Sequence, residues 1–356
     1  MKLRLITLAV LAATSGAAQA QSSVTLYGTL DVSARVVKAD GQSRRLSEAT
    51  GGLNSSLLGF RGSEDLGDGL RAGFDMQGDV FPDTGSVGAA GIPSKFFNRM
   101  AYLKLSSKFG ELRLGRDYVS TFWNQASFDA FGYVGLGASV TARQIYNVSR
   151  MDNTIGYFAP PGLGGFYGQA TLSAAEGGTS LDRPGRYVGL RAGYAAGPFN
   201  AAFSASALRF ATPFGVGANG VGAVVTAAPG DTQHTFNIAG SWDFGPAKLL
   251  GYYDRDELKG YREDMFSVSS VIRFGASEIH VGYDRSKLKK PALASTLLDQ
   301  LKAGYVYNLS KRTAMYATVS QLSNKDGTRL TLSGAAGTTT AGGKSQGAEF
   351  GVRHFF

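Results

Sequence analysis

Across residues 24–36 the chain changes character at every step. Val24, Leu26, Gly28, Leu30, Val32, Ala34 and Val36 alternate with Thr25, Tyr27, Thr29, Asp31, Ser33 and Arg35. A period of two places the sets on opposite faces of one strand, and it breaks the 3.6-residue period that a helix needs. The run exceeds the usual soluble strand of about five or six residues. The last residues repeat the pattern: Ala348, Phe350, Val352, His354 and Phe356 take one parity, and Glu349, Gly351 and Arg353 take the other. A strand that ends on an aromatic predicts closure of a barrel in lipid, with the ring at the membrane interface.

Between these ends the alternation predicts about 16 strands, near 24–36, 55–62, 70–77, 96–106, 111–116, 153–159, 165–175, 186–196, 199–209, 233–244, 247–256, 263–274, 277–287, 300–309, 312–322 and 347–356. Short turns fall at 64–69, 107–110, 160–164, 196–198, 244–246, 274–276 and 308–312. Long loops fall at 39–54, 82–95, 118–152, 176–185, 211–232, 256–262, 288–299 and 323–346. This sorting suits an antiparallel barrel with short periplasmic turns and long extracellular loops. It predicts an all-β, 16-stranded antiparallel transmembrane barrel occupying residues 21–356 as one domain.

Residues 1–20 differ. Lys2 and Arg4 precede the apolar run 5–13, and Ala18-Gln19-Ala20 follows. This order predicts a cleaved secretory signal, and the run is too short for an uncleaved anchor. The chain of 356 residues has no cysteine, so nothing in it calls for disulfides. A mean hydropathy of -0.07 is far too polar for a helical membrane protein. Gly at 49 residues, Phe at 22 and Tyr at 16, against 10 Pro, suit strands with aromatic girdles. Tyr102, Tyr252, Tyr283, Tyr305 and Tyr307 are candidates for those girdles. Without Lys2 and Arg4 there remain 34 basic and 27 acidic residues, or +7. These charges are scattered singly along alternating segments, which argues against a nucleic-acid surface.

Several segments resemble the Gram-negative general porins, in their beta-proteobacterial branch. They are Ser23-Val24-Thr25-Leu26-Tyr27-Gly28-Thr29-Leu30-Asp31, Leu58-Gly59-Phe60-Arg61-Gly62-Ser63-Glu64-Asp65-Leu66-Gly67-Asp68-Gly69-Leu70, Phe97-Asn98-Arg99-Met100-Ala101-Tyr102-Leu103, Phe109-Gly110-Glu111-Leu112-Arg113-Leu114-Gly115-Arg116 and the closing Gly351-Val352-Arg353-His354-Phe355-Phe356. The resemblance implies a homotrimer of 16-stranded outer-membrane barrels, with the third long loop folded into the lumen. It also implies that Phe356 is the signal read by the barrel-assembly machinery. Two positions depart from the family: Leu57 and Gly156 stand where members carry a basic residue, most often arginine.

A passive pore needs a water-filled lumen and charged side chains at its narrowest point, where low-dielectric walls focus the field. The candidate cations are Arg35, Arg61, Arg99 and Arg116. Arg35 and Arg61 fall on the polar parity of their strands, and the resemblance turns Arg99 inward. Arg99 shares parity with Ala101 and Leu103, and Arg116 opens the long loop, so alternation leaves the side of both open. Each also has a plain reading as a rim or lumen arginine without a selective role. Asp129, in 118–152, is the candidate acidic group facing Arg99 across the lumen; capping a short helical turn is its alternative.

These features predict a general diffusion channel of the cell outer membrane for small hydrophilic solutes and ions, weakly anion-preferring and surrounded by lipid. A solute-specific channel and a plugged structural or adhesive barrel are the alternatives. An enzyme is not expected: His234, His280 and His354 are scattered, no Gly-x-Ser-x-Gly occurs, and there is no metal-ligand cluster. No cofactor is expected.

Overall fold

The computed structural model describes residues 23–88, 95–145, 147–174, 185–216 and 225–356. The expected signal segment 1–20 lies outside them. Sixteen strands form the wall. They are β1 (Ser23–Ala39), β2 (Leu57–Gly67), β3 (Leu70–Phe81), β4 (Met100–Ser107), β5 (Gly110–Tyr118), β6 (Arg150–Phe158), β7 (Phe166–Ser173) and β8 (Gly185–Ala196), then β9 (Phe199–Phe210), β10 (Thr232–Asp243), β11 (Ala247–Leu258), β12 (Tyr261–Phe274), β13 (Ser277–Lys290), β14 (Leu293–Asn308), β15 (Thr313–Lys325) and β16 (Lys344–Phe355). Every neighbouring pair is antiparallel, and β1 closes the ring by pairing with β16 from Thr29↔Phe355 to Ala39↔Ser345. Closure leaves no edge of unpaired amides facing hydrocarbon, where each would cost several kcal/mol.

The alternation is the orientation of the wall. Leu26 and Leu30 are 55% and 42% exposed on the outside, while Asp31 and Arg35, on the other parity, are buried inside. The outer surface carries Leu103, Leu114, Ile155, Val188, Ile238, Leu301 and Val319, all at least half exposed. Phe109, Phe166, Trp242, Phe244 and Phe274 gather beside the short turns, as an interfacial girdle requires. Tyr305 and Tyr307 join that face. Tyr102 and Tyr252 do not: they are 7% and 4% exposed and point inward, which corrects the expectation that they sit in a girdle. Tyr102 shares its inward parity with Met100, and Tyr252 shares that of Asp254.

Two loops expected to be long are tight hairpins. β13 and β14 continue to Lys290 and from Leu293, so 288–299 is mostly strand. β11 and β12 meet at Lys259-Gly260, both at positive φ (52° and 78°), the backbone of a type I′ turn. Charged residues on both faces hid these extensions, because alternation loses contrast above the hydrocarbon. Two further devices close the upper rim. Arg45–Thr50 pairs with the upper half of β1, and Phe214–Val216 pairs with Val225–Ala227 as a separate hairpin.

The seam depends on one close approach. Phe356 N–H donates to the Gly28 carbonyl at 3.1 Å, and Gly28 N–H donates to the Phe356 carbonyl at 3.2 Å. A Cβ on Gly28 would stand 2.3 Å from the Phe356 ring and 2.6 Å from the Leu57 carbonyl. Gly28→Leu is therefore expected to obstruct closure at a cost of about 2 kcal/mol or more. The measurement is the fraction of heat-modifiable, folded protein after refolding into detergent; a variant that closes as well as the parent would contradict the account.

Candidate functional site

The segment between β5 and β6 does not stay at the rim. It leaves the wall at Tyr118, forms α1 (Ser120–Ser127) and a 3-10 turn (Ser139–Ala142), and returns at Arg150. It lies inside the barrel against β8–β16. Ser120 Oγ meets Tyr187 Oη at 3.1 Å, and Asn124 Nδ2 donates to Asn237 Oδ1 at 3.0 Å. Tyr252 Oη donates to Ser139 Oγ at 2.7 Å. Gln144 and Ile145 direct their backbone N–H groups to the two oxygens of Glu263 at 2.8 and 2.7 Å. Leu136 N–H donates to Glu349 Oε1 at 3.1 Å, and Gln300 Nε2 donates back to the Leu136 carbonyl at 3.1 Å. The loop thus exchanges backbone groups that would otherwise be unsatisfied for wall side chains.

Ion pairs fasten it. Arg143 bridges Asp254 and Asp256, the latter at 2.6 Å, with all three side chains almost fully buried. Burial opposes the charge on Arg143, yet Asp254 and then Asp256 hold its pKa well above the ordinary guanidinium value. Lys302 lies 2.8 Å from Asp284 and 3.4 Å from Asp129, again without solvent contact. Gly135 makes a close backbone approach to Gly52 of the first loop; its φ is +72°, and a Cβ there would stand 2.0 Å from the Gly52 carbonyl.

Asp129 is consequently not the group that faces Arg99. Its carboxylate accepts the N–H of Phe131 and of Ser139, both at 3.0 Å, and pairs with Lys302. That places it nearer the capping alternative than the transverse-field reading. Arg35 is on the lumen parity but sealed: it donates to Glu349 Oε2 at 2.7 and 2.9 Å, and its side chain is 6% exposed. Arg116 shares the parity of Leu112 and Leu114, which is the outer one, and stands opposite Ala101. Its Nε donates to the Asn98 carbonyl and its Nη1 to Asp152, each at 2.7 Å, with Lys95 on the second oxygen of Asp152. Hydrogen bonding pins Arg116 to that cluster and away from the lumen arginines.

Arg99 and Arg61 do belong to the lumen side. Arg99 pairs with Asp79 at 2.8 Å and lies 5.8 Å from the centre of the Tyr118 ring. Arg61 is exposed and lies 4.9 Å over Tyr27. Lumen arginines outside the candidate set include Arg150 and Arg191. Arg150 donates to Tyr118 Oη at 2.8 Å and covers the same ring at 4.5 Å. Arg191 donates to Asn124 Oδ1 at 2.6 Å and lies 4.8 Å over Tyr167. Arg191 alternates with Leu190 and Ala192, so its polar parity was the available signal. Among the described residues, Arg61, Arg150 and Arg191 have no carboxylate within 4 Å. Rings and amides hold them, leaving their charge uncancelled. Leu57, opposite Thr29 and Asp79, and Gly156, opposite Arg113, both lie on the lumen parity.

A family model described as Gram-negative porin matches residues 7–327. The chain is 37% identical to outer membrane porin protein 32 of Delftia acidovorans, with all of both chains covered. Among solved structures it is similar to an anion-selective porin from Comamonas acidovorans, with a TM-score of 0.80 and 30% identity, covering 94% of this chain and 100% of that one. It also shares its fold with a trimer form of OmpT of Vibrio cholerae, at a TM-score of 0.66 and 16% identity over 94% and 99% of the two chains.

Removing Arg143 tests the anchor. Arg143→Met leaves Asp254 and Asp256 buried without their cation, an expected loss of about 3–5 kcal/mol. A lower midpoint of thermal unfolding in detergent, together with noisier single-channel current, is the expected result; unchanged values in both would show that the loop is held by other contacts.

Proposed function

The chain belongs to the Gram-negative porin family, and from that premise we propose that its channel favours anions and works as a homotrimer. It is an outer-membrane porin: a closed barrel whose water-filled lumen admits small hydrophilic solutes and ions by diffusion. The anion preference rests on Arg61, Arg150 and Arg191, lumen guanidinia held by Tyr27, Tyr118 and Tyr167 with no carboxylate within 4 Å among the described residues. In a narrow path between low-dielectric walls, cations of this kind raise the local concentration of anions. Arg99 contributes less, because Asp79 cancels most of its charge at 2.8 Å. Leu57 and Gly156 add no charge to this face, so the preference is weak.

The selectivity of the Comamonas acidovorans porin and the trimer form of the Vibrio cholerae protein agree with this reading. In the same reading, residues 1–20 are removed on export and Phe356 directs the folding chain to the barrel-assembly machinery.

The test is the zero-current potential across a planar bilayer under a salt gradient. The parent trimer is expected to prefer anions, and Arg61→Glu combined with Arg150→Glu is expected to lower the anion-to-cation permeability ratio by on the order of twofold or more. Arg35→Gln should leave that ratio unchanged, since Glu349 and the loop above already screen Arg35 from the lumen. Cation preference in the parent, or indifference to the double charge reversal, would refute the assignment.

A further inference from the structure

Behind the inward loop, one buried carboxyl has too few donors around it. Asp284 on β13 points into the barrel between Ser267 on β12 and Gln300 on β14, its register partners on the two sides. Asp284 and Gln300 are 0% exposed and Ser267 is 4% exposed. Lys302, lower on β14, places its Nζ 2.8 Å from Asp284 Oδ2 and 3.4 Å from Asp129 Oδ1 on the loop. Two carboxyls therefore share one ammonium. The cations nearby are already taken: Arg143 by Asp254 and Asp256, and Arg35 by Glu349. Glu263 receives the N–H groups of Gln144 and Ile145, and His280, lower on β13, pairs with Glu278 at 3.0 Å. Tyr252 on β11 gives its hydroxyl to Ser139, and Tyr133 of the loop lies on the side of Arg143.

The amide of Gln300 locates the missing donor. Its Nε2 donates to the Leu136 carbonyl at 3.1 Å and to Ser320 Oγ, on the β15 side, at 3.0 Å. A carbonyl only accepts, so Leu136 fixes which end of the amide it meets. Oε1 is thereby turned to the other side, that of Asp284, and no donor among the described residues reaches it. Asp284 Oδ1 and Ser267 Oγ also lack partners. The Ser267 hydroxyl can serve Asp284, but it stands on the far strand from Gln300.

Two acceptors, Asp284 Oδ1 and Gln300 Oε1, thus stand at one level on neighbouring strands without solvent, which is costly unless something positive lies between them. A metal ion such as calcium takes about six oxygens or more, and here it would sit beside the Lys302 ammonium. Among the described residues no cluster of acidic or histidine side chains is placed to hold one. A proton needs only the two oxygens.

We propose that Asp284 is a proton-operated latch for the constriction loop: its carboxyl keeps a proton at neutral pH and donates it to Gln300 Oε1. With the proton in place the charges close, because Lys302 then balances Asp129 alone. Without it, the Gln300 amide is drawn to turn Nε2 toward the ionised Asp284, and the Leu136 carbonyl is left facing Oε1, acceptor against acceptor. Gln300 and Lys302 hold the loop at Leu136 and Asp129, and Ser269 Oγ accepts the N–H of Ala130 between them at 3.0 Å. Loss of the proton therefore loosens the segment that narrows the lumen. The folded chain binds here a proton that the unfolded chain releases at neutral pH, so stability falls as the pH rises.

Asp284→Asn is the test, because its Nδ2 donates where the proton would and its Oδ1 still accepts from Lys302. Infrared difference spectra of the folded protein in detergent at neutral pH are expected to show the C=O stretch of a protonated carboxyl in the parent that the variant lacks. Raising the pH to about 10, beyond the range in which buried carboxyls keep a proton, should remove that band. It should also lower the parent's thermal midpoint by about 2 °C or more and make its single-channel current noisier. Asp284→Asn should match the parent at neutral pH and respond less to alkali, whereas Asp284→Leu, which offers Gln300 no donor, should melt below both. The proposal is overturned if parent and Asp284→Asn share the same carboxyl band, or if the parent's band survives at high pH. It is equally overturned if Asp284→Asn fails to fold or melts well below the parent, since the ionised carboxylate would then be what Lys302 requires, or if both respond alike to alkali. Added sodium or calcium that raises the midpoint of the parent but not of Asp284→Asn at fixed pH would put a metal ion in the gap and overturn it too.

Discussion

A backbone amide in hydrocarbon has no water to turn to, and this constraint organises the whole molecule. Each N–H and C=O in the membrane must find a partner on a neighbouring strand, so the ladder must close on itself. Closure is made where β1 pairs with β16, and the chain's last residue completes it by exchanging two hydrogen bonds with Gly28. Once the ladder is closed, alternate side chains have no choice of environment. One set meets lipid and the other meets the enclosed space, and that division gives both the membrane location and the water-filled path.

The enclosed space would be wide and uniform without the loop that enters it. Holding a loop there is a problem of polar satisfaction, because its backbone leaves bulk water without gaining a strand partner. The wall solves it with carboxylates and amides placed to receive specific N–H groups: Glu263 for Gln144 and Ile145, and Glu349 for Leu136. The buried pairs of Arg143 and Lys302 add direction more than net stability, since desolvation offsets most of the attraction between buried charges. Their contribution is to make one position of the loop far better than its neighbours. The narrowing of the lumen is thus a consequence of side chains on β11–β16, opposite the arginines that face it.

Much of this was legible in the sequence, for a physical reason. Alternation is a local property, so residues 24–36 announce their strand and its two faces without knowledge of any partner. The final strand, the short turns and the inward parity of Arg35 and Arg61 follow similarly. What alternation does not carry is which polar group finds which. Asp129 looked like a lumen charge because its lysine, Lys302, is 173 residues away. Arg116 looked ambiguous because the bulge at Gly115 and Asp117 interrupts the pattern beside it. Tyr102 and Tyr252 looked interfacial by residue type alone, although their parity places them inside. The hairpin tips at 259–260 and 291–292 were lost because both faces of a strand become polar once it clears the bilayer.

How the lumen arginines are held bears on what passes between them. A guanidinium paired with a carboxylate presents a dipole, and its field falls away over a short distance. A guanidinium lying on an aromatic face keeps its full charge, because the ring offers only a quadrupole. Arg113, between Glu111 and Asp117, is of the first kind; Arg150, on Tyr118, is of the second. Tyrosine also leaves little freedom to the cation: Tyr118 stacks on Phe122 at 4.4 Å and is itself buried. The aromatic cluster at the root of the inward loop therefore does two things at once. It fixes where the loop departs from the wall, and it holds an uncancelled positive charge beside the path that the loop narrows. On the proposed reading, selectivity is weak because a few fixed charges bias entry without forming a tight site from which an ion must later escape.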